Sequence, residues 1–154
     1  SALGTTRAKA GSEEAFRAVD FDLTLAAARA GVAAGARQLV LISSTMADST
    51  SATFYLRMKG EIEEAVLCLG YTRVDIVRPG LLRGPRAERR VLERAAQLAS
   101  PLVDLALHGQ YRRYRSLPIE LLARAILGLT QERAGGRFVH EYDAILRAAS
   151  RLSN

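Results

Sequence analysis

Tyr55 and Lys59 stand four residues apart in the stretch Thr53-Phe-Tyr-Leu-Arg-Met-Lys-Gly60. On an α-helix that spacing is about 6 Å of rise and roughly 40° of rotation, so a phenol and an ammonium project from one face. A free phenol ionises near pH ~10, and an adjacent cation favours the phenolate and lowers that value toward neutrality. With a hydroxyl to hold a substrate oxygen, the pair is a proton-transfer site. Two hydroxyls are at hand, because the run Leu39-Val-Leu-Ile-Ser-Ser44 ends at Ser43 and Ser44. The lysine is informative in itself. Of 22 basic residues only Lys9 and Lys59 are lysines, so arginine serves wherever a generic surface cation is wanted. A site that needs a compact ammonium cannot accept the planar guanidinium fork.

These residues need a strand and a helix to position them, and the pattern supplies both. Leu39 to Ile42 is a continuous apolar run, as expected of a strand buried on both faces. Ser43 to Thr53 is a polar loop, and a helix is expected from about Phe54 to Leu69, with Phe54, Met58, Ile62, Ala65, Val66 and Leu69 inward. Val74 to Val77 is a second strand, stopped by Arg78-Pro79-Gly80. Strand, helix, strand with tight connections predicts a right-handed parallel crossover.

The flanks extend this pattern. Gly11-Ser12-Glu-Glu14 starts a helix, with Ser12 as cap, and Phe16, Val19, Leu23, Ala26, Ala27 and Ala30 follow helical spacing. Asp20 on that helix reads as an exposed residue. Val91, Leu92, Ala95, Leu98 and Ala99 mark a further amphipathic helix, and Tyr111 to Leu117 is a candidate strand. Pro118 suits the first turn of a helix bearing Ile119, Leu122, Ala123, Ile126 and Leu127. Arg137 to His140 reads as a small strand and Tyr142 to Leu152 as a final helix. The whole is α/β with a mostly parallel sheet, in one domain spanning residues 1–154.

Composition narrows the function classes. The chain is 49% hydrophobic, enough for a real core, and no run approaches the length of a membrane span. Cys68 is the only cysteine; it has no disulfide partner and reads as buried filler on an apolar helix end. His108 and His140 lack ligand spacing, so no metal site is expected and a reduced, cytoplasmic setting fits. The net charge of +6 is spread along helices among glutamates, which argues for a solvated basic surface over nucleic-acid binding. Arg86 reads as a surface arginine, with an anionic substrate group as its alternative partner. The helices near 12–30 and 54–69 are available either to cover the sheet or to pair in a homodimer.

Four blocks together resemble the short-chain dehydrogenase/reductase superfamily, and within it the atypical NAD(P)-binding, Tat-interacting-protein-like and epimerase/dehydratase-like members. They are Leu3-Gly-Thr-Thr-Arg-Ala-Lys-Ala-Gly-Ser12, Val40-Leu-Ile-Ser-Ser44, Tyr55-x-x-x-Lys59-Gly-Glu61 and Val77-Arg-Pro-Gly80. The resemblance implies a Rossmann-type, doubly wound sheet. It implies Tyr55 as acid/base, Lys59 as its cation and ribose ligand, and Ser44 as the hydroxyl on the substrate carbonyl, with Ser43 in reserve. Asp20 falls roughly where many relatives carry an asparagine that supports the lysine through water, and an exposed aspartate is the reading preferred to such a relay member. Leu3, Gly4 and Thr5 would pass beside the adenine-side ribose, and Pro79, Gly80 and Leu81 would line the nicotinamide of NAD or NADP.

The chain departs from such a family in one respect: it holds no G-x-x-G-x-x-G phosphate turn. On this resemblance it is expected to be the C-terminal two-thirds of the domain, N-terminally incomplete. The implied function is an NAD(P)H-dependent oxidoreductase acting on a small carbonyl, alcohol or sugar-like substrate. The alternative is a non-catalytic NAD(P)-binding regulator, and nucleic-acid binding ranks last.

Overall fold

The computed structural model describes residues 11–83, 107 and 109–151. Leu3, Gly4, Thr5, Arg86, His108 and the helix expected around Val91 to Ala99 lie outside the described residues. In chain order the elements are α1 (Glu13–Arg17), a π-helical stretch (Ala18–Leu23), α2 (Thr24–Ala33), β1 (Gln38–Ile42), α3 (Phe54–Leu67), β2 (Arg73–Val77), β3 (Leu82–Arg83), a 3-10 helix (Gly109–Tyr114), β4 (Leu117–Pro118), α4 (Ile119–Thr130), β5 (Gly136–His140) and α5 (Tyr142–Ser150). The protein is mixed α/β with small parallel sheets. It divides into two compact units, one of Ser1–Val77 with Arg133–Val139, the other of Arg78–Glu132 with His140–Asn154.

In the first unit, Ser12 caps α1 as expected, its Oγ accepting the Ala15 N–H at 3.0 Å. The buried stripe beyond it differs from the expected one. Phe16, Asp20, Thr24 and Ala28 are buried, whereas Leu23 is 49% exposed and Ala26, Ala27 and Ala30 face solvent. The π-helical stretch is the reason. Its i→i+5 bonds take one residue more per turn than an α-helix, so positions four apart stay in phase through Ala18–Leu23. A 3.6-residue template drifts off that face and selects the wrong residues.

β1 and β2 pair in parallel, with Leu39 opposite Val74 and Leu41 opposite Ile76. The Ser43 N–H continues the ladder to the Val77 carbonyl at 2.8 Å. The expected strand–helix–strand unit is therefore present, and β5 completes a sheet of order β1-β2-β5. β2, in the middle, is buried at every position, but β1 alternates instead of being buried on both faces. Among the described residues it ends the strand order, and Leu39 and Leu41 are its enclosed positions. They join Ala28, Ile62, Val66, Tyr71, Val74 and Ile76 in one core.

Tyr71 carries the one hydroxyl in that cluster, and its OH donates to the Ala28 carbonyl at 2.6 Å. Gly31 makes room for it, since a Cβ there would come within 2.5 Å of the Tyr71 oxygen. Burial raises the Tyr71 pKa above its ordinary value of 10.0. The unfolded chain then gives up this proton before the folded one does, so its contribution is intact below pH ~10 and is lost as pH rises beyond it. Tyr71→Phe is expected to cost about 1 kcal/mol at neutral pH and to flatten the alkaline fall in stability. Urea titrations of both proteins between neutral and strongly alkaline pH check this, and parallel curves would refute it.

In the second unit, β3 and β4 form a two-stranded parallel ladder that the sequence pattern did not announce. The strand expected over Tyr111 to Leu117 is corrected: Gly109, at φ +58°, leads into a 3-10 helix. There the three-residue spacing brings the Tyr111 and Tyr114 rings to 6.5 Å. Pro118 sits at the N-cap of α4, whose buried residues are Leu122, Ala125, Gly128 and Leu129. Ile119 and Leu127, expected inward, are 48% and 57% exposed. Gly128 lets α4 meet α5 closely, because a Cβ there would strike the Ala148 carbonyl oxygen.

Candidate functional site

α3 begins after Thr53, so Tyr55 lies in its first turn and Lys59 one turn on. The two differ in environment: Tyr55 is 39% exposed and Lys59 is 6% exposed. The Lys59 Nζ lies 5.9 Å from the Tyr55 ring centroid, and on the other side it meets Asp20 Oδ1 at 3.1 Å. Asp20 is 3% exposed, which corrects its reading as a surface aspartate. It is the π-helical stretch, by holding Asp20 in phase with Phe16, that turns this carboxylate toward α3.

Other contacts fix the helices that carry the pair. The Phe16 ring meets those of Phe54 and Tyr55 edge-on at 6.2 and 6.1 Å. Arg17 Nη1 bonds Glu61 Oε2 at 2.6 Å. A buried ion pair loses hydration that its mutual attraction only partly returns, so it seldom adds net stability. What the Asp20–Lys59 pair does supply is a fixed, neutralised ammonium beneath an exposed phenol.

The loop after β1 is built against the same helix. Ser44 is half-buried, and its carbonyl accepts the Ala47 N–H at 3.2 Å, closing a four-residue turn. The Asp48 N–H donates to the Leu56 carbonyl at 3.1 Å, one residue beyond Tyr55. Arg57 Nη1 holds the Ser51 carbonyl at 2.9 Å, and Ser49 Oγ bonds Glu64. Gly60 allows the close approach, because a Cβ there would fall on the Asp48 and Ser49 backbone. Ser43 is buried, and its Oγ, like Thr45 Oγ1, has no hydrogen-bond partner.

The structure thus brings Tyr55, Lys59 and Asp20 together, and it starts at Ser44 a turn tied to the same helix. Pro79, Gly80 and Leu81 belong to the second unit. There Pro79 is buried, a Cβ on Gly80 would meet the Arg115 carbonyl at 2.5 Å, and Leu81 is 51% exposed with its carbonyl accepting the Leu117 N–H. Cys68 is exposed, not buried filler. Among the described residues no group of three or more metal-ligating side chains is assembled, and no helix is long and apolar enough to cross a membrane.

Sequence reasoning set Asp20 on the surface in preference to beside the lysine, and it missed Thr45 and the purpose of Gly60. For Asp20 the available signal was four-residue spacing from Phe16 through Thr24 to Ala28.

No family model matches the chain. Its similarity to curated proteins is nonetheless strong. Over 97 residues, 63% of the chain, it is 54% identical to "Protein fmp52, mitochondrial" of Emericella nidulans, 42% of which is covered. Over 125 residues, 81% of the chain, it is 42% identical to the protein of that name from Aspergillus fumigatus, covering 53% of it. "Protein FMP52, mitochondrial" of Candida albicans is 43% identical over 88 residues, 57% of the chain and 38% of that protein. The chain spans about half the length, or less, of these relatives.

These findings overturn three expectations. The assignment to the short-chain dehydrogenase/reductases gives way to relatives under another name and to no matching family model. The oxidoreductase activity rested on that assignment and falls with it. The cytoplasmic setting, inferred from a lone cysteine, is contradicted by relatives that are named mitochondrial. One cysteine and no disulfide suit any reducing compartment, so that inference could not separate the mitochondrial interior from the cytoplasm.

Proposed function

We propose that this chain is part of a mitochondrial protein that binds a small polar ligand beside α3, and that the ligand is NAD or NADP. The observation that carries the binding site is the buried Asp20–Lys59 pair under the exposed Tyr55 ring. Evolution of a sheet core has no need of a buried lysine, and perturbed or costly ionic groups concentrate where a ligand uses them. The parallel β1–β2 pair supports the same placement. In open, doubly wound α/β sheets, of which these strands would be a part, ligands sit at the carboxyl ends of the strands, where Ser43 and Ser44 lie. The mitochondrial location is taken from the relatives' names.

The residues suit such a ligand. Lys59 offers ammonium protons to ribose hydroxyls, Tyr55 a partly exposed phenol, and Ser44 a hydroxyl at the strand end. Asp20 is a positioning residue that keeps Lys59 from swinging into solvent. NAD and NADP in either redox state would supply a nicotinamide, two riboses and a charged diphosphate.

Calorimetric titration of the protein with NADH and NADPH should show saturable binding of at least one. Tyr55→Phe, which keeps the ring contacts to Phe16, should weaken it about two- to tenfold, the worth of one hydrogen bond. Absence of saturable binding by both overturns the reading. Cell fractionation should recover the whole protein with mitochondria, and recovery in the cytosolic fraction alone would refute the location.

A further inference from the structure

Phe16 and Ala28 are both buried, yet they lie 12 positions apart on one run of helix. In a continuous α-helix that spacing turns one about 120° away from the other, so one face cannot enclose both. The π-helical stretch Ala18–Leu23 absorbs the mismatch by taking up an extra residue. Each end has its own anchor. Phe16 packs edge-on against the rings of Phe54 and Tyr55. The Ala28 carbonyl accepts the Tyr71 hydroxyl, and Gly31 lets that hydroxyl approach α2.

This register has a cost. Asp20 and Thr24 are buried, and Thr24 Oγ1 has no hydrogen-bond partner. A buried hydroxyl left unbonded is destabilising, and π-helical turns are rare except at functional sites. The two anchors and the Asp20–Lys59 pair offset it. The anchors are unequal. α2 is fixed to the core through Tyr71, whereas α1 is five residues long and Phe16 is its buried residue. If one end yields, it is α1.

With α2 fixed and the stretch relaxed to α geometry, residues 13–20 turn by about 100° relative to α2. Phe16 then leaves Tyr55, and Asp20 swings away from Lys59. Arg17 stands 11 positions from Ala28, or about three α-turns, and comes onto the face that Phe16 vacates.

We propose that Ala18–Leu23 is a one-residue register switch with two states. In the observed state the stretch is π-helical, Phe16 packs on Tyr55 and Asp20 neutralises Lys59. In the other state the helix is continuous, the Phe16 side of Tyr55 is open and Lys59 has lost its carboxylate. Displacing one ring thereby recharges a lysine one turn along α3. A ligand that pushes Phe16 aside meets a cation that is otherwise cancelled, so the second state favours anionic ligands. Such a ligand shifts the equilibrium by as much as it prefers that state. This regulation deepens the proposed ligand site beside α3, but the switch belongs to the chain and shows without ligand.

Acetylation by an N-hydroxysuccinimide ester, read by peptide mass spectrometry, reports the state of Lys59, one of two lysines in the chain. Phe16→Ala removes the anchor and should raise the Lys59 acetylation rate at least about tenfold over wild type; Phe16→Leu should raise it less. Ile62→Ala opens the core beside Lys59 but leaves Phe16 in place, so its rate should stay within about twofold of wild type. A crystal structure of Phe16→Ala or, where that variant does not fold, of Phe16→Leu should show i→i+4 bonds through Ala18–Leu23 and Asp20 turned from Lys59.

An unchanged rate in both Phe16 variants, an equal acceleration by Ile62→Ala, or a π-helical stretch retained in the variant crystal overturns the switch. If NADH or NADPH binds by calorimetry while these results fail, the proposed ligand survives without the switch. If they succeed while neither dinucleotide binds, the switch stands and the proposed ligand falls.

Discussion

Asp75→Ala is expected to cost about 3–5 kcal/mol of stability, the usual price of leaving one partner of a buried ion pair uncompensated. Asp75 is fully buried on β2, and its carboxylate takes Arg73 Nε and Nη2 at 2.6 Å each and Gln38 Nε2 at 2.7 Å. Arg73 is itself 6% exposed, bonds the Ala134 carbonyl at 2.8 Å and lies 4.3 Å from the Phe138 ring centroid. This network joins β1, β2 and the segment carrying β5. Without the carboxylate, the guanidinium stays in the sheet with too few acceptors and must drag water or the β5 segment toward it.

Against a total stability of about 5–15 kcal/mol for a typical domain, that loss would leave a fragile protein. The companion variant Arg73→Met with Asp75→Leu removes both charges and is expected to recover most of the loss, because desolvation is relieved together with attraction. Chemical denaturation of the three proteins measures both effects. A single variant within 1 kcal/mol of wild type, or a double variant no better than the single, would contradict the argument.

Gly60→Ala is the second large effect, and it links stability to the site. The added Cβ would fall on the Asp48 carbonyl carbon and the Ser49 amide nitrogen, which are backbone atoms with no rotamer to yield. Either α3 or the loop must move. Overpacking of this kind costs typically about 1–3 kcal/mol, and the sequence change would otherwise favour a helix. The loop is the weaker partner, so the Asp48 N–H bond to Leu56 should break first. Amide hydrogen exchange is expected to lose protection at Asp48 while core amides such as that of Val74 keep theirs. Because the same loop carries Ser44, ligand binding should fall further than global stability does. Retained protection at Asp48 would show that the helix gives way instead.

How much of this was legible follows from the range of each interaction. The Tyr55–Lys59 pairing was legible because both lie on one helix, where four-residue spacing fixes their relation whatever the rest of the chain does. Strand limits at Gln38–Ile42 and Arg73–Val77 were legible for a similar reason, since apolar runs between polar stops define them locally. Parallel pairing followed from the helix between them. The family resemblance misled because its blocks are short, and spacing among common residue types does not carry an activity.

Asp20, Cys68 and the strand expected at Tyr111 to Leu117 were not legible, and the causes are physical. Periodicity arguments assume one helical pitch, and the π-helical stretch at Ala18–Leu23 changes it, moving Leu23 out and Asp20 in. Cys68, the C-cap of α3, is exposed although Leu67 and Leu69 on either side of it pack against the core, because neighbouring positions on a helix end face different ways. The residues from Gly109 to Tyr114 coil because a positive-φ glycine starts them and ring contacts three apart support them, against the strand preference of Tyr111 and Tyr114.

The sequence by itself determined the local frame: which segments form the central strands and α3, that two strands run parallel, and that a tyrosine and a lysine share a helix face. Tertiary structure alone decided what that face means. Lys59 is buried and neutralised because Asp20, 39 positions earlier in the chain, is brought within 3.1 Å by a change of helical pitch. Gly60 is a glycine because a loop crosses it. Both facts arise from contacts between segments far apart in the chain, and no local rule of spacing or propensity encodes such contacts.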